Sequence, residues 1–129
     1  DDTQARLEGN WQSGQGLKGF VGERYLYHGP KGNASARYDF TVPTSGNYEV
    51  RLSYQAHTNR ASNARVIVNS ARGADVRRVN QRVPGPLPNG FFSLGAYEFK
   101  AGETNSVLIE NKGADGFVNV DAVQVVPQR

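Results

Sequence analysis

Arginine is concentrated in one segment of this 129-residue chain. Residues 60–82 contain six arginines and a single acid, Asp75, so this segment carries +5, whereas the chain totals +3 and the remainder therefore −2. Guanidinium groups bind carboxylate, sulfate and phosphate groups through paired donors. The segment therefore indicates either an acidic polysaccharide ligand or a solvated sheet face with scattered counter-charges. Nucleic acid is disfavoured, because no Lys/Arg run, aromatic RNA-binding pattern or helix-turn-helix segment accompanies the charge.

Catalytic residues are not indicated by the remaining reactive side chains. The chain has no cysteine and two histidines, His28 and His57, each placed where a predicted strand ends. A hydrolytic triad needs a nucleophile and an acid beside such a histidine, and no spacing here specifies one. The stretch 14–19 matches the dinucleotide pattern G-x-G-x-x-G, but more glycine follows it instead of a helix that could hold a pyrophosphate. We predict a domain that is not an enzyme.

Asp121 is the acid with the strongest claim to a specific role. It interrupts the apolar run 118–123, and an unpaired buried carboxylate is costly. An ion pair with an arginine such as Arg60, or a hydrogen-bonded carboxylate, is the favoured interpretation. The alternative is a structural Ca²⁺ held by Asp121 with Asp2, although calcium requires about six to eight oxygen ligands. No other cofactor is expected.

Aromatic side chains supply a further signal. Sugars present C–H faces that stack on rings, while planar polar groups orient their hydroxyls. Most rings, such as Tyr38 and Phe99, fall on the face that the strand pattern assigns to the core. Capping the core is the stronger expectation for Trp11. With Trp11, the candidates for a surface platform are Tyr25, Tyr27, Phe91 and Phe92.

These side chains must be positioned by strands, because the chain alternates apolar and polar residues in short runs broken by turn residues. The clearest strands are 36–42 and 48–54, each with one apolar face, joined by the turn residues 43–47. A similar hairpin-like unit runs from 97–99 to 106–110. Leu94 is out of phase with Tyr97 and Phe99, and Gly95 lies between them. One extra residue at this point would put all three side chains on the core face, which predicts a β-bulge at Gly95. The last strand, 117–126, alternates on both faces and is therefore predicted to be central and covered on both sides.

About nine strands and no buried helix result from this count. The predicted fold is all-β: a two-sheet antiparallel β-sandwich of the jelly-roll kind. Its 129 residues, 37% hydrophobic and 21% charged, suit one domain covering 1–129. No segment approaches the roughly 18 apolar residues that span a bilayer. Residues 1–4 lack a basic-then-apolar signal pattern, so we expect a soluble module cut from a longer protein.

Four strings of residues carry a family resemblance. They are residues 59–64 (NRASNA), 79–82 (VNQR), 94–102 (LGAYEFKAG) and 116–123 (GFVNVDAV). In this order and spacing they resemble the golvesin C-terminal-like domain, and the opening residues 1–5 and 9–11 also fit, so the resemblance covers nearly the whole chain. It implies a β-sandwich of the galactose-binding-like kind, similar to carbohydrate-binding modules. Such domains are appended to bacterial xanthan lyases and related secreted proteins, and to certain FAD-dependent oxidoreductases, whose FAD site would lie outside these residues.

The resemblance also suggests a binding site and a setting. Its most polar recurring pieces match Asn59, Arg60, Asn63, Gln81 and Arg82, which either form a sugar site at one end of the sandwich or tie loops together. We therefore predict a noncatalytic carbohydrate-binding module, for acidic polysaccharide, attached to a parent catalytic domain in a secreted or cell-envelope bacterial protein. The alternative is a structural module that packs against its parent and binds no glycan.

Overall fold

Antiparallel strands make up the structure, a computed structural model that describes residues 6–14 and 25–128. Those residues form eleven strands and one 3₁₀ turn, Pro88–Gly90. No helix in these two ranges is long and apolar enough to cross a membrane. The strands are β1 (Arg6–Glu8), β2 (Gln12–Gly14), β3 (Tyr25–His28), β4 (Ser35–Phe40), β5 (Gly46–Ser53), β6 (Ala64–Ser70), β7 (Gly73–Val79), β8 (Phe91–Phe99), β9 (Asn105–Glu110), β10 (Val118–Val120) and β11 (Ala122–Pro127).

The strands form a sandwich, which confirms the predicted all-β fold. One layer is a five-stranded sheet in the order β1-β4-β9-β6-β7. Facing it are two three-stranded sheets, β10-β3-β2 and β11-β5-β8, joined where β10 leads into β11. Side chains from all three sheets, such as Val66, Val50 and Val118, meet in one buried cluster. The strand count exceeds the predicted nine because a separate β2 follows the first strand and the last strand is divided.

The apolar faces of β4 and β5 were predicted correctly, but their pairing was not. Ala36 and Tyr38 on β4 and Val50 and Leu52 on β5 are all buried. However, β4 pairs with β1 and β9, whereas β5 pairs with β11 and β8. The two apolar faces oppose one another across the core, so residues 41–45 carry the chain from one layer to the other and not around a hairpin. The connection from β8 to β9 does the same.

The predicted bulge at Gly95 is confirmed. The register between β5 and β8 shifts between Val50, opposite Gly95, and Arg51, opposite Ser93. Leu94 is therefore the extra residue, and its side chain is buried in the core. Gly95 has a φ of 108°, a left-handed conformation that side chains resist.

The prediction of one continuous last strand is wrong. It is divided at Asp121, because β10 pairs with β3 while β11 pairs with β5 in the other three-stranded sheet. All three residues of β10 are buried, as predicted. In contrast, β11 is an edge strand, and Gln124 on it is exposed. A strand that changes sheets in this way leaves its central residue buried between them.

Phe99 provides a test of the core. It is completely buried, with the rings of Phe40 and Tyr48 at centroid distances of 5.1 and 6.0 Å. We expect Phe99→Ala to lower the free energy of unfolding by about 3–5 kcal/mol, because it leaves a cavity that rigid strands cannot fill. Urea denaturation measures this loss. Val83→Ala is the control, since Val83 is 56% exposed and should change stability by less than about 0.5 kcal/mol. Equal effects of both variants would contradict this assignment of the core.

Candidate functional site

A buried polar layer lies at one end of the sandwich, centred on Asn119 of β10. The backbone N–H of Gln55 donates to Asn119 Oδ1 at 2.7 Å. The side chain of Gln81 bonds both backbone groups of Asn119, donating from Nε2 to its carbonyl at 2.8 Å and accepting its N–H at 2.7 Å. All three residues are at most 5% exposed. These bonds attach the loops that follow β5 and β7 to β10.

Arg60 inserts into this layer as a buried cation. Its Nε donates to the carbonyl of Gln55 at 2.9 Å, and Nη1 donates to Asn59 Oδ1 at 3.3 Å. The guanidinium carbon lies 5.9 Å from the ring centroid of Tyr25 and 5.8 Å from that of Tyr27, within cation–π range. Burial lowers the pKa of Arg60, and the neighbouring tyrosines oppose this shift. Arginine has so high an intrinsic pKa that the group stays charged.

The expected ion pair between Arg60 and Asp121 is wrong. Gln55 connects the two residues, since its carbonyl accepts from Arg60 and its side-chain amide donates to Asp121 Oδ2 at 3.4 Å. Asp121 is fully buried, and its backbone carbonyl accepts from the hydroxyl of Tyr38 at 3.2 Å. The bond from the Gln55 amide fits the other favoured interpretation, a hydrogen-bonded buried carboxylate. The ranges 6–14 and 25–128 contain no direct ion pair between Arg60 and Asp121 within 4.0 Å.

Two partly buried rings lie at the surface beside Arg60. The Tyr27 and Phe117 rings have centroids 6.2 Å apart. Phe117 is brought there by backbone bonds from Ala61 N to its carbonyl, at 2.7 Å, and from its own N–H to the carbonyl of Asn59, at 3.0 Å. The chains approach so closely that a Cβ on Gly116 would lie 2.7 Å from the Arg60 carbonyl oxygen, so only glycine fits there.

Arg82 and Asn59 complete what we call the Arg60 cluster: Tyr27, Asn59, Arg60, Arg82 and Phe117. Arg82 is exposed, and its Nε donates to the Arg60 carbonyl at 2.8 Å. Asn59 is exposed, and its Oδ1 lies 3.1 Å from Nδ1 of His57. The cluster therefore combines two rings, one amide and two guanidinium groups at one end of the sandwich.

The other predicted site residues have structural contacts. Gln81 is internal, as described above. Asn63 ties two loops, because its Nδ2 donates to the Gly113 carbonyl and its Oδ1 accepts from Asp115 N, both at 3.0 Å. Trp11 donates from Nε1 to the carbonyls of Glu8 and Ser35 at 3.0 and 3.1 Å. Its ring packs against the core, as the capping alternative expects.

Phe117, His57 and Asp115 near the cluster were missed as site residues from the sequence. Phe117 was assigned to a core strand, although Gly116 before it is a signal of close chain approach. Asp115 accepts the Ser62 N–H at 2.7 Å and also the Ser62 hydroxyl. The Ser62 hydroxyl and N–H, with a smaller effect of Arg82, hold the pKa of Asp115 below its usual value. Asp115 is therefore ionised at neutral pH.

Arginines of the cationic segment donate mainly to backbone carbonyls. Arg77 Nη1 donates to Leu94 O at 2.8 Å. Arg78 Nη1 donates to the carbonyls of Asn63 and Lys112 at 3.2 and 3.0 Å. Arg65 has a carboxylate partner at 3.2 Å, whereas the acidic partners of Arg72 and Arg82 are both 3.7 Å away. Because carbonyls carry no net charge, these bonds leave the charges of Arg77 and Arg78 unbalanced, whereas nearby carboxylates partly balance Arg65, Arg72 and Arg82.

The family model described as the Golvesin C-terminal domain matches residues 1–127. The chain belongs to this family. A xanthan lyase from Bacillus sp. (strain GL1) is 36% identical to it over 131 residues, which include 98% of this chain and 14% of that protein. The Golvesin C-terminal domain described here therefore spans about one-seventh of the length of that relative.

Solved structures share the fold. A Paenibacillus xanthan lyase matches all of this chain with 12% of its own, at 31% identity and a TM-score of 0.90. A family 35 carbohydrate-binding module from Clostridium thermocellum matches 96% of this chain with 92% of its own, at 18% identity and a TM-score of 0.65. The Golvesin C-terminal domain thus has the sandwich of carbohydrate-binding modules.

Gln81 provides a test of the polar layer. We expect Gln81→Ala to lower the free energy of unfolding by about 3 kcal/mol, because it leaves the buried N–H and carbonyl of Asn119 without partners. Chemical denaturation measures the change. Gln124→Ala is the matched control, since Gln124 is exposed on β11, and it should cost less than about 0.5 kcal/mol. A loss for Gln81→Ala no greater than for the control would show that the layer does not stabilise the fold.

The alternative of a calcium ion at Asp121 and Asp2 is not tested by the described residues, because Asp2 lies outside them. In the described part of the chain, no group of three His, Cys, Asp or Glu side chains could hold a metal ion. Because the Gln55 amide donates to Asp121, we expect the melting temperature in EDTA and in CaCl₂ to agree within about 1 °C. A calcium-dependent rise of several degrees that disappears in Asp121→Asn would instead establish the metal site.

Proposed function

We propose that this Golvesin C-terminal domain is a noncatalytic module that binds an acidic polysaccharide through the Arg60 cluster. The observation that supports it is the pair of partly exposed rings, Tyr27 and Phe117, flanked by Asn59 and two arginines. Ring faces stack on the C–H faces of sugars, and amide and guanidinium groups orient hydroxyls and carboxylates. Arg60 is held beneath the Tyr27 ring, so this ring is fixed before a ligand arrives.

The preference for an acidic glycan follows from the charge of residues 60–82. Arg77 and Arg78 donate to carbonyls, and Arg82 lies 3.7 Å from its acidic neighbour Asp115, so a polyanion meets guanidinium charge that carboxylates balance only in part. The relatives named as xanthan lyases suggest xanthan, which carries carboxylates, as the first polymer to test. This domain would then hold the substrate of a parent catalytic domain, and such a parent, secreted or in the cell envelope, is part of the proposal.

Packing against a parent protein without a glycan is the less favoured function. A domain that packs against its parent in this way is expected to expose a large apolar patch when it is isolated. In the described ranges, the large apolar residues that are exposed lie apart: Leu7 and Val76 are on the two opposite edge strands of the five-stranded sheet, and Val83 is in a loop. This distribution supports a ligand of sugar chemistry.

Removing exposed polar groups of the cluster tests the proposal. We expect the double variant Asn59→Ala/Arg82→Ala to bind xanthan at least about tenfold more weakly, since a charge-assisted hydrogen bond contributes about 1.5–3 kcal/mol. Affinity electrophoresis in xanthan gels, at two salt concentrations, measures this loss. The matched control is Asn33→Ala/Arg37→Ala, which removes an exposed amide and an exposed guanidinium near β4. Unchanged retention of the Asn59/Arg82 variant would contradict the site, and retention on no acidic or neutral polysaccharide would contradict the function.

A further inference from the structure

A second groove lies at the other end of the β6–β7 hairpin from the Arg60 cluster. It has a volume of about 390 Å³ and lies between the tip of this hairpin and β8. Its polar lining includes Asn47, Arg72, Asp75 and Glu98, and its aromatic lining is Tyr97. None of these residues belongs to the Arg60 cluster or to the buried polar layer.

Two bonds hold the hairpin against β8 and so keep the groove open. The Ala71 N–H donates to the Glu98 carbonyl at 2.9 Å, beside the hairpin turn. Further along β7, Arg77 Nη1 donates to the Leu94 carbonyl at 2.8 Å. Both acceptors are backbone atoms of β8, so the groove has the rigidity of the two strands that form it. A site formed in advance loses less entropy when it binds a ligand.

Tyr97 provides a fixed aromatic surface. Its hydroxyl donates to Asp75 Oδ2 at 2.6 Å, and its ring stacks on the buried Phe99 ring at a centroid distance of 6.5 Å. Burial, then the bond to Asp75, raises the pKa of Tyr97. The phenol therefore stays protonated and keeps this bond at neutral pH.

Hydrogen-bonding groups with free capacity border the Tyr97 ring. The Arg72 side chain is 82% exposed and lies 3.7 Å from Glu98, too far for a hydrogen bond. The Asn47 side chain is exposed. Small residues leave space between these groups, since Ala74 and Ala96 line the groove and a Cβ on Gly73 would meet nothing within 4 Å. Donors and carboxylate acceptors thus surround an open space beside a ring.

The charge of the groove selects the kind of sugar. Two carboxylates, Asp75 and Glu98, and one guanidinium, Arg72, line it. Arg77 also interacts with the Tyr97 hydroxyl, so the groove has no excess of positive charge to attract an acidic sugar. Neutral hydroxyls can both donate to the carboxylates and accept from Arg72 and Asn47. The groove therefore suits an uncharged sugar, in contrast to the Arg60 cluster.

We propose that this groove is a second sugar-binding site, which takes an uncharged hexopyranose unit. This inference rests on the proposed function in one respect, namely that the ligand is a sugar. The seven residues of β6 separate the two sites by roughly 20 Å at about 3.3 Å per residue. A long glycan with neutral and acidic units can therefore occupy both sites and gain avidity, whereas a short oligosaccharide occupies one.

Neutral tetrasaccharides test the groove separately from the cluster. Isothermal titration calorimetry of the whole chain uses cellotetraose, mannotetraose and galactotetraose as probes. We expect at least one to bind, and Asn47→Ala/Arg72→Ala to weaken it about tenfold or more. The control variant Asn33→Ala/Arg37→Ala and the cluster variant Asn59→Ala/Arg82→Ala should both bind it normally. Thermal melting checks that each variant is folded.

Three outcomes would overturn the groove site. They are no binding of any probe, normal binding by the folded Asn47/Arg72 variant, and a loss that follows the Asn59/Arg82 variant instead. Xanthan retention by the same proteins separates the two proposals. Normal retention without tetrasaccharide binding removes the groove and leaves the proposed function. Tetrasaccharide binding that depends on the groove, without xanthan retention, supports the groove and removes the acidic-glycan site.

Discussion

The paired bonds between Gln81 and the backbone of Asn119 are the constraint on which this end of the sandwich depends. A short buried strand, β10, has to end where the chain changes sheets, and its backbone groups there cannot reach water. Gln81 satisfies both backbone groups of Asn119, and the Gln55 N–H donates to the side-chain oxygen of Asn119. The same bonds place the loops after β5 and β7, and therefore place Asn59, Arg60 and Arg82. The hydrogen bonds that stabilise the buried polar layer thus also hold the candidate site in position.

The positions of charge follow from the same arrangement. Arg60 is buried because carbonyls and ring faces, not a carboxylate, receive its guanidinium. Arg82 is then oriented by the Arg60 carbonyl, so one buried arginine and one exposed arginine act as a unit. Bonds of this kind fix the direction of a side chain without cancelling its charge, which is what recognition of an anion requires.

Local features of the fold were predictable from the sequence, and its pairing was not. Period two assigned the buried faces of β4 and β5 correctly, and the phase of Leu94 located the bulge at Gly95, because both depend on neighbouring residues. The partners of a strand depend on residues far along the chain. For that reason the predicted hairpins and the continuous last strand were wrong. At the site, the residues matched by family resemblance include internal ties, such as Gln81, and surface groups, such as Asn59, since a string of residues does not record which side chains point inward.

The division of the last strand has a consequence for how the domain is made. Residues 118–120 complete one sheet and residues 122–127 complete another, with Tyr48 on β5 paired to Pro127. During synthesis, the second partner of β3 and the second partner of β5 emerge about 70–90 residues after these strands. Pairing between residues so far apart in sequence makes folding slow. Completion of the fold also depends on β10 and β11, which are synthesised late. The ladder between β5 and β11 is therefore complete only after residue 127 has left the ribosome.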